Sequence, residues 1–487
     1  MKDFTRRRFG QTVAAAAALA GSSIPGFAFG QTGAAGSEAD HDSGRKFPDG
    51  FLWGCATAAY QIEGGAKEGG RGPSVWDVFS HTPGKTHNGD TGDVADDSYH
   101  LYKEDVRLLK NLGVQTYRMS ISWPRIFPEG KGQPNPAGLD YYNRVVDELL
   151  ANNIAPFVTL FHWDLPAALP GGWQSRSTSL AFGDYAAYIA RQLSDRVKHF
   201  MTTNEIACFT DLAYRDGSFA PGLKLPLKDV YQIRHHGILA HGLGVQAIRA
   251  NAKGPVQVGL AENAQVFVPV METEEHIRAA QRATRVMNAP FLTALMEGKY
   301  IDEYLHSIGS DEPRVEAGDF AAIASPLDFV GDNVYICNYV SAAATPTGFE
   351  IEPWPSSYPR MYSRWITISP ECAYWAIRNV CDLWHPRAMF ITENGTPSAD
   401  VLTADGRVAD LDRVMYLRNH IANVHRAAVE GYPIKGYFLW SLMDNFEWDD
   451  GYSTRCGIHY VDYKTLKRYP KLSAEWYREL IKRNEVV

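Results

Sequence analysis

The feature that most constrains the fold of this chain is a regular alternation of short apolar segments with longer helical patterns. The predicted strands begin at Phe51 and then span 116–121, 156–162, 199–205, 256–262, 328–335, 390–393 and 434–442. The predicted helices span 97–113, 138–152, 185–196, 229–250, 274–296, 370–383 and 412–429, with a closing helix over 476–483. This α/β alternation predicts one closed (β/α)8 barrel. An open doubly wound sheet is the alternative, although no glycine-rich dinucleotide loop follows the first strand.

Length and composition agree with one large domain. The chain has 487 residues, of which 45% are hydrophobic and 21% charged, so it can bury a full core. No internal repeat or linker divides it, and we expect the barrel to occupy residues 46–487. The formal net charge of −8, without a basic stripe, argues against nucleic acid as a partner.

The N-terminus resembles a twin-arginine export signal. Thr5-Arg6-Arg7-Arg8-Phe9 precedes an apolar run over 13–20 that is too short to span a bilayer. Ala28-Phe29-Gly30 offers small residues for cleavage, which predicts a signal peptide over 1–30 and a flexible leader over 31–45. The mature protein is therefore expected in the periplasm or outside the cell, without a membrane anchor.

The cysteines and histidines do not form a metal-binding pattern. The six cysteines are widely spaced and include no Cys-x-x-Cys pair, so we expect them to be mostly reduced and buried. His235-His236 is interpreted as part of a helix face. No metal and no cofactor are expected.

Two predicted strands end in a glutamate. Phe390-Ile391-Thr392-Glu393-Asn394-Gly395 carries one carboxylate into a turn, and His199 to Glu205 has the same form. In a (β/α)8 barrel this end of each strand forms the active site. A pair of carboxylates there is what glycosidic bond cleavage requires.

Several sequence segments, which follow one another along the chain, strengthen this interpretation. On the basis of these segments, the chain resembles the β-glucosidases of glycoside hydrolase family 1. The segments are Phe51-Leu52-Trp53-Gly54, Ala59-Tyr60-Gln61-Ile62-Glu63-Gly64, Tyr117-Arg118-Met119-Ser120-Ile121-Ser122-Trp123-Pro124-Arg125, His162-Trp163-Asp164-Leu165-Pro166, Thr203-Asn204-Glu205, Ile391-Thr392-Glu393-Asn394-Gly395 and 439–448. The resemblance runs from Phe47 to the C-terminus. It implies a TIM barrel with long βα loops that hydrolyses small-molecule β-glycosides with retention of configuration.

The resemblance assigns Glu205 as the acid/base and Glu393 as the nucleophile. Glu205 has to be protonated, and we expect the negative charge of Glu393 to raise its pKa. Arg118 is the expected charge partner of Glu393, with Tyr335 as a hydrogen-bond donor. A structural ion pair at the strand end is a compatible alternative role for Arg118.

The family pattern also implies a set of sugar-binding residues. Hydroxyl groups of the first sugar would be bound by Gln61, His162, Asn204, Asn333 and Glu447, with Trp440 and Trp448 stacking against the ring. Trp163, Trp173 and Trp365 would form apolar walls on the leaving-group side. A carboxylate at position 447 would repel a 6-phosphate, and a glutamate at 205 argues against the thioglucosidase branch.

The chain departs from the family pattern at four positions. Ile206-Ala207 follows the acid/base where proline and often an aromatic residue are usual, and Cys456 stands where phenylalanine is common. Asp332 replaces an apolar residue, and the sequence offers no explanation for it unless it pairs with a nearby base on the helical layer. The small Ala207 would widen the leaving-group site and favour bulky apolar aglycones, unless a loop refills the space.

Two alternative functions stay open at this point. A catalytically inactive sugar-binding relative is one, although such chains typically lose a catalytic carboxylate. An enzyme acting mainly as a transglycosidase is the other. The sequence does not distinguish glucose from galactose preference and does not indicate an oligomeric state.

Overall fold

The barrel predicted from the sequence is present. The computed structural model describes residues 44–363 and 365–487, so the predicted signal peptide and most of the predicted leader lie outside the described residues. Eight parallel strands close in the order β1-β11-β10-β7-β5-β4-β3-β2, with β2 pairing back to β1. They are β1 (Leu52–Ala56), β2 (Thr116–Ser120), β3 (Ala155–Phe161), β4 (His199–Asn204), β5 (Gln257–Glu262), β7 (Val330–Asn333), β10 (Met389–Asn394) and β11 (Ile434–Trp440).

Helices separate these strands and cover the barrel. The longer ones are Ser98–Leu112, Pro136–Ala151, Arg176–Leu193, Leu227–Asn251, Glu274–Met287, Cys372–Trp384, Leu411–Val429 and Leu472–Arg483. Shorter α-helices are Ala59–Ile62, Val75–Ser80, Trp123–Ile126, Ala294–Glu297, Asp302–Ile308 and Asp319–Ile323. Cys208–Asp216 and Ala289–Thr293 are π-helical, and 3₁₀ turns occur at His87–Gly89, Gly172–Gln174, Gly309–Asp311 and Trp448–Asp450.

Two helix predictions need correction. The helix predicted over 185–196 begins at Arg176, where the Ser175 side chain caps it by accepting a hydrogen bond from the Ser177 amide. The helix predicted over 274–296 is interrupted at Asn288, which is followed by Pro290. Asn288 Nδ2 donates to Thr284 O at 2.8 Å, and a proline without an amide hydrogen cannot continue the α-helical pattern.

Loop strands that the sequence did not predict lie beyond the barrel ends. A mixed sheet contains β6 (Phe267–Pro269), β8 (Asn338–Ala342) and β9 (Phe349–Glu352), and β12 (His459–Asp462) pairs with β13 (Lys467–Pro470). The mixed sheet packs on helix Glu274–Met287 through a small cluster that includes Phe267, Val340 and Phe349. These strands stiffen the long loops that follow β5, β7 and β11.

Aromatic side chains fill the lower part of the barrel. The ring of Phe157 on β3 lies 5.5 Å from Phe390 on β10 and 5.0 Å from Phe438 on β11, centroid to centroid. Phe329 adds a further contact to Phe390 at 5.3 Å. Since this floor is closed, a ligand can enter only at the carboxyl ends of the strands.

A buried charge network joins the loops after β10 and β11. Lys471 Nζ donates to Asp400 and Asp444 at 2.6 Å each, and all three side chains are fully buried. Arg413 pairs with Asp400, and Arg455 pairs with Asp444 at 2.6 Å. This network holds the segment that carries Glu447 and Trp448 against the barrel.

The described part of the chain agrees with the remaining expectations on cysteines. All six are buried and free, as predicted.

None of the helices in residues 44–363 and 365–487 combines the length and the hydropathy that crossing a bilayer requires.

Candidate active site

The two predicted carboxylates occupy the carboxyl end of the barrel. Glu393 belongs to β10 and is almost fully buried. Arg118 Nη1 donates to its Oε1 at 2.6 Å, and the Tyr335 hydroxyl donates to its Oε2 at 2.8 Å. Both contacts favour the ionised form, which suits a nucleophile.

Glu205 follows β4 in a left-handed backbone conformation, with φ of 48°. Its Oε1 accepts a hydrogen bond from Asn333 Nδ2 at 2.6 Å, and its Oε2 accepts one from the thiol of Cys208 at 2.9 Å. No arginine donates to it directly among the described residues. The two carboxylates therefore have different partners, as an acid and a nucleophile require.

The surroundings of the two carboxyl groups shift their pKa values. The pKa of Glu205 rises to about 7, first because the side chain is buried and second because Glu393 is nearby. From the sequence, the charge of Glu393 was expected to raise this pKa. In the structure burial is the larger cause, and the charge of Glu393 is the second. Burial also raises the pKa of Glu393, but Arg118, Tyr335 and Asn333 oppose that rise.

A polar network connects the two carboxylates. Arg118 is buried, and besides Glu393 it bonds Thr392 O at 2.9 Å and the side-chain oxygen of Asn204. Thr392 donates to Asn333 Oδ1 at 2.7 Å, which fixes the amide so that its nitrogen reaches Asn204 Oδ1 and Glu205. Arg118 is therefore both a structural ion pair and a partner of the nucleophile.

His162 and Asn204 form one polar wall of the site. Asn204 Nδ2 donates to His162 Nε2 at 3.1 Å, and the Nδ1 of His162 has no partner. Burial, aided by Arg118, holds the pKa of His162 well below its usual value, so the ring is neutral. It can exchange hydrogen bonds with a hydroxyl group without carrying charge into the site.

Gln61 and Glu447 form a second polar wall. Gln61 Nε2 donates to Asn445 Oδ1 at 2.9 Å, to Phe446 O at 3.0 Å and to Glu447 Oε2 at 3.3 Å, while its Oε1 is buried without a partner. Burial, followed by the charges of nearby carboxylates, raises the pKa of Glu447 to about 8. Unused polar atoms in a buried site suit a ligand with many hydroxyl groups.

Aromatic rings surround these polar walls. His162 stacks on Trp440 at 5.7 Å and on Trp448 at 5.9 Å, and Trp163 lies 4.5 Å from Trp448. Trp163 Nε1 donates to Asn204 O at 2.9 Å, which fixes the indole. The rings offer flat apolar surfaces beside the carboxylates, as sugar stacking requires.

These groups open into a cleft of about 610 Å³. Its lining includes His162, Trp163, Glu205, Asn333, Tyr335, Trp365, Glu393, Trp440, Glu447, Trp448 and Cys456. Gln61, Asn204 and Arg118 stand behind this surface and contact the side chains that form it. The predicted sugar-binding residues and Arg118 are thus brought together at one end of the barrel.

The prediction that Trp173 is an apolar wall on the leaving-group side is wrong. Trp173 is fully buried in the core, with its ring 5.3 Å from Phe161 and 5.0 Å from Phe209, so it is not a wall of the cleft. Ala207 is not among the described residues that line the cleft, and the widening expected from this small residue stays a prediction. Ile206 is fully buried and packs against Gly237. The packing is close, since a Cβ added at Gly237 would lie 2.9 Å from Ile206 Cγ2.

Several residues that line the cleft were not predicted from the sequence. Cys208, Leu212 and Phe219 come from the segment after β4, and Asn263, Val266 and Ile336 come from the loops after β5 and β7. Cys208, Asn263, Val266 and Ile336 lie within four residues of a strand end, which is the signal that was available for them, whereas Leu212 and Phe219 lie farther along the loop. The loop conformation decides which of them face the cleft.

Asp332 has carboxyl neighbours rather than the base expected from the sequence. It lies opposite Glu262 in the β5–β7 register, and its Oδ1 accepts the Ala264 amide at 3.1 Å. Its pKa is raised well above the usual value, first by burial and then by Glu262 and Glu205. Pairing with a base, the one explanation that the sequence left open for Asp332, is therefore not what the described residues show.

Comparison with known proteins gives a consistent result. Residues 43–486 match the sequence family described as "Glycosyl hydrolase family 1". A "1,4-beta-D-glucan glucohydrolase" of Thermotoga neapolitana is 44% identical, over 90% of this chain and 99% of that protein. A "Bifunctional beta-D-glucosidase/beta-D-fucosidase" of Bifidobacterium breve is 42% identical, over 89% of this chain and 98% of that protein. The solved structure "Beta-glucosidase from Thermotoga maritima in complex with deoxynojirimycin" superposes with a TM-score of 0.82 at 40% identity, covering 91% of this chain and 100% of that one.

Proposed function

Because the chain belongs to glycosyl hydrolase family 1, we propose that it is a retaining β-glucosidase that removes terminal non-reducing β-D-glucosyl residues. The observation that carries this proposal is the unequal pair of carboxyl groups at the barrel mouth. Arg118 and Tyr335 donate to Glu393 and favour its ionised form against the effect of burial, while Glu205 has a pKa of about 7 and can serve as an acid at neutral pH.

In the first step, a carboxylate oxygen of Glu393 attacks the anomeric carbon while the bond to the leaving oxygen breaks. Glu205 gives its proton to that oxygen, so the aglycone leaves as a neutral alcohol. The hydrogen bonds from Arg118 and Tyr335 weaken as the glycosyl ester forms, because Glu393 then loses its negative charge.

In the second step, Glu205 takes a proton from water, and the water oxygen bonds to the anomeric carbon as the ester to Glu393 breaks. Two displacements restore the original configuration. His162 and Glu447, held in place by Asn204 and Gln61, supply donors and acceptors that orient the sugar hydroxyl groups during both steps.

The direct test is the time course of an aryl β-glucoside followed by proton NMR. We expect β-glucose to appear first and to mutarotate afterwards, and we expect Glu393→Gln to release no sugar. A first product of the opposite anomeric configuration would contradict the retaining mechanism. Product analysis with and without added acceptor alcohols separates hydrolysis from transglycosylation, and sugar binding without turnover would indicate an inactive relative.

The shape of the cleft supports a finer proposal, that bulky apolar aglycones are favoured over a second sugar. The lining includes Leu212, Phe219, Val266, Ile336 and Trp365, whose apolar surfaces can contact an apolar aglycone. Trp365 is 55% exposed and packs edge-on against Tyr335 at 5.7 Å. Its ring is therefore available to an apolar group next to the reacting bond.

Trp365→Ala tests this aglycone proposal. Losing the ring removes roughly 1.5–3 kcal/mol of apolar contact, so kcat/KM for a steroid or flavonoid β-glucoside should fall about tenfold or more relative to cellobiose. Tyr362→Ala is a matched control, because this side chain is 59% exposed and does not line the cleft. A cellobiose preference that Trp365→Ala leaves unchanged would contradict the proposal.

We also propose export to the periplasm or beyond through the twin-arginine route. Thr5-Arg6-Arg7-Arg8-Phe9 supports this, and the free buried cysteines suit a protein that folds before export. Replacing both Arg6 and Arg7 with lysine should retain the protein in the cytoplasm. Unchanged export of that variant would refute the route.

A further inference from the structure

We propose that Cys208 is a positioning residue for the acid/base, and that its thiol stabilises the carboxylate form of Glu205 during the catalytic cycle. The inference rests on the proposed function. Cys208 Sγ lies 2.9 Å from Glu205 Oε2, and the thiol donates the hydrogen bond. Nothing in the family pattern used above assigns a role to this position.

The local backbone explains why these two residues meet. Glu205 has φ of 48°, which turns the chain sharply at the end of β4, and the Cys208 amide donates to Glu205 O at 3.0 Å. This turn brings the first residue of the π-helix Cys208–Asp216 beside the Glu205 carboxyl group. On the other side, Asn263 Nδ2 donates to the sulfur at 3.3 Å, which limits rotation of the thiol.

The two oxygens of Glu205 have unequal donors. Oε1 accepts from the Asn333 amide at 2.6 Å, whereas Oε2 accepts from a thiol, which is a weaker donor. The proton that Glu205 transfers is therefore better placed on Oε2, because the thiol competes less for the lone pairs of this oxygen than the Asn333 amide does for those of Oε1. When that proton passes to the leaving oxygen, Oε2 gains negative charge and its hydrogen bond from the thiol strengthens.

Cys208 keeps its own proton throughout this cycle. Burial and the neighbouring carboxyl groups raise the pKa of the thiol well above its usual value. Cys208 thus acts as a fixed donor and forms no covalent bond. Its hydrogen bond lowers the pKa of Glu205 against the larger effect of burial.

Other titratable groups surround the pair and stay unchanged in the proposed variants. Glu393 and Tyr335 face Glu205 across the cleft, Arg118 approaches from β2, and Glu262 and Asp332 lie behind it on β5 and β7. A change confined to position 208 therefore reports on the thiol itself.

The experiment measures kcat/KM against pH for Cys208→Ala, Cys208→Val and Cys208→Ser. Without a donor, the alkaline limb that Glu205 controls should move up by about 0.5–1 pH unit in the alanine and valine variants. The serine hydroxyl can donate, so that variant should stay near the wild type or move to lower pH. Cys381→Ala is the matched control, since it removes a buried thiol from helix Cys372–Trp384.

The valine variant keeps the site filled, which separates loss of the donor from loss of packing. An alkaline limb that stays in place in both the alanine and valine variants would overturn the proposal, as would a serine variant that shifts as far as alanine. If the wild type hydrolyses no β-glucoside, the proposed function fails instead. The proposal about Cys208 would then be tested by the infrared carboxyl band of Glu205, identified by difference against Glu205→Gln, which should titrate at higher pH in Cys208→Ala.

Discussion

Replacing Glu205 with glutamine is expected to stabilise the folded protein at alkaline pH. The pKa of Glu205 rises from the ordinary value of 4.5 to about 7 on folding, because its charge has to be buried beside Glu393. The folded state binds this proton more tightly than the unfolded chain does. The resulting stability is fully present below pH 4.5 and is lost as the pH rises towards 7.

The magnitude follows from this difference. At about 1.4 kcal/mol per pKa unit, the full cost approaches about 3.5 kcal/mol, and about 2.5 kcal/mol of it appears between pH 5 and pH 8. Glutamine carries no charge and avoids this loss. One of the hydrogen bonds from Asn333 or Cys208 will be mismatched in the variant, and that penalty of about 1 kcal/mol is the same at every pH.

The assay is urea unfolding followed by tryptophan fluorescence at pH 5, 6, 7 and 8, with reversibility checked at each pH. The free energy of unfolding of Glu205→Gln relative to the wild type should rise steadily across this range. Glu350→Gln, an exposed position on β9, is the matched control and should show no such trend. A difference that is constant with pH, or that falls towards pH 8, would refute the conclusion that Glu205 is buried with a raised pKa.

Three further outcomes are expected. Glu393→Ala should abolish turnover, and azide should restore it with inverted configuration, which product NMR detects; restored activity with retention would place the nucleophile elsewhere. Glu205→Ala should lose far more kcat/KM on alkyl than on activated aryl β-glucosides, because only the former need protonation; equal losses would argue against its role as an acid. Lys471→Met should lower the free energy of unfolding by about 3–5 kcal/mol, because Asp400 and Asp444 stay buried and each loses one of its two cationic partners, whereas the exposed Lys482→Met should have little effect. Equal urea midpoints for the two variants would contradict this.

The positions of the catalytic residues could be predicted because parallel strands end at one edge of a barrel. Glu205, Asn333 and Glu393 each stand at or next to the end of a strand that the apolar pattern identifies. Strand register then brings them together without any information on loops. Arg118 lies in the middle of β2, and its contact with Glu393 was predicted from the family resemblance rather than from a strand end.

The roles of loop residues could not be predicted in this way. Trp173 and Trp365 are equally aromatic in the sequence, yet one is core and the other is 55% exposed in the cleft. Cys208 meets Glu205 only because the backbone turns sharply at the acid/base itself. Such contacts depend on single dihedral angles, which local sequence patterns do not determine.

Asp332 shows how a residue that has no explanation alone can gain one from its neighbour. It and Glu262 are adjacent on β7 and β5, and burial raises the pKa of both, that of Glu262 to about 8. Two buried carboxyl groups this close cannot both be ionised at low cost, so the pair retains a proton at neutral pH. Glu262 accepts the Ile206 amide at 3.3 Å, and Asp332 accepts the Ala264 amide at 3.1 Å. The pair thus anchors the segment that follows Glu205 and the loop that follows β5. Because the pair retains a proton, it places less negative charge near Glu205, which has to stay protonated.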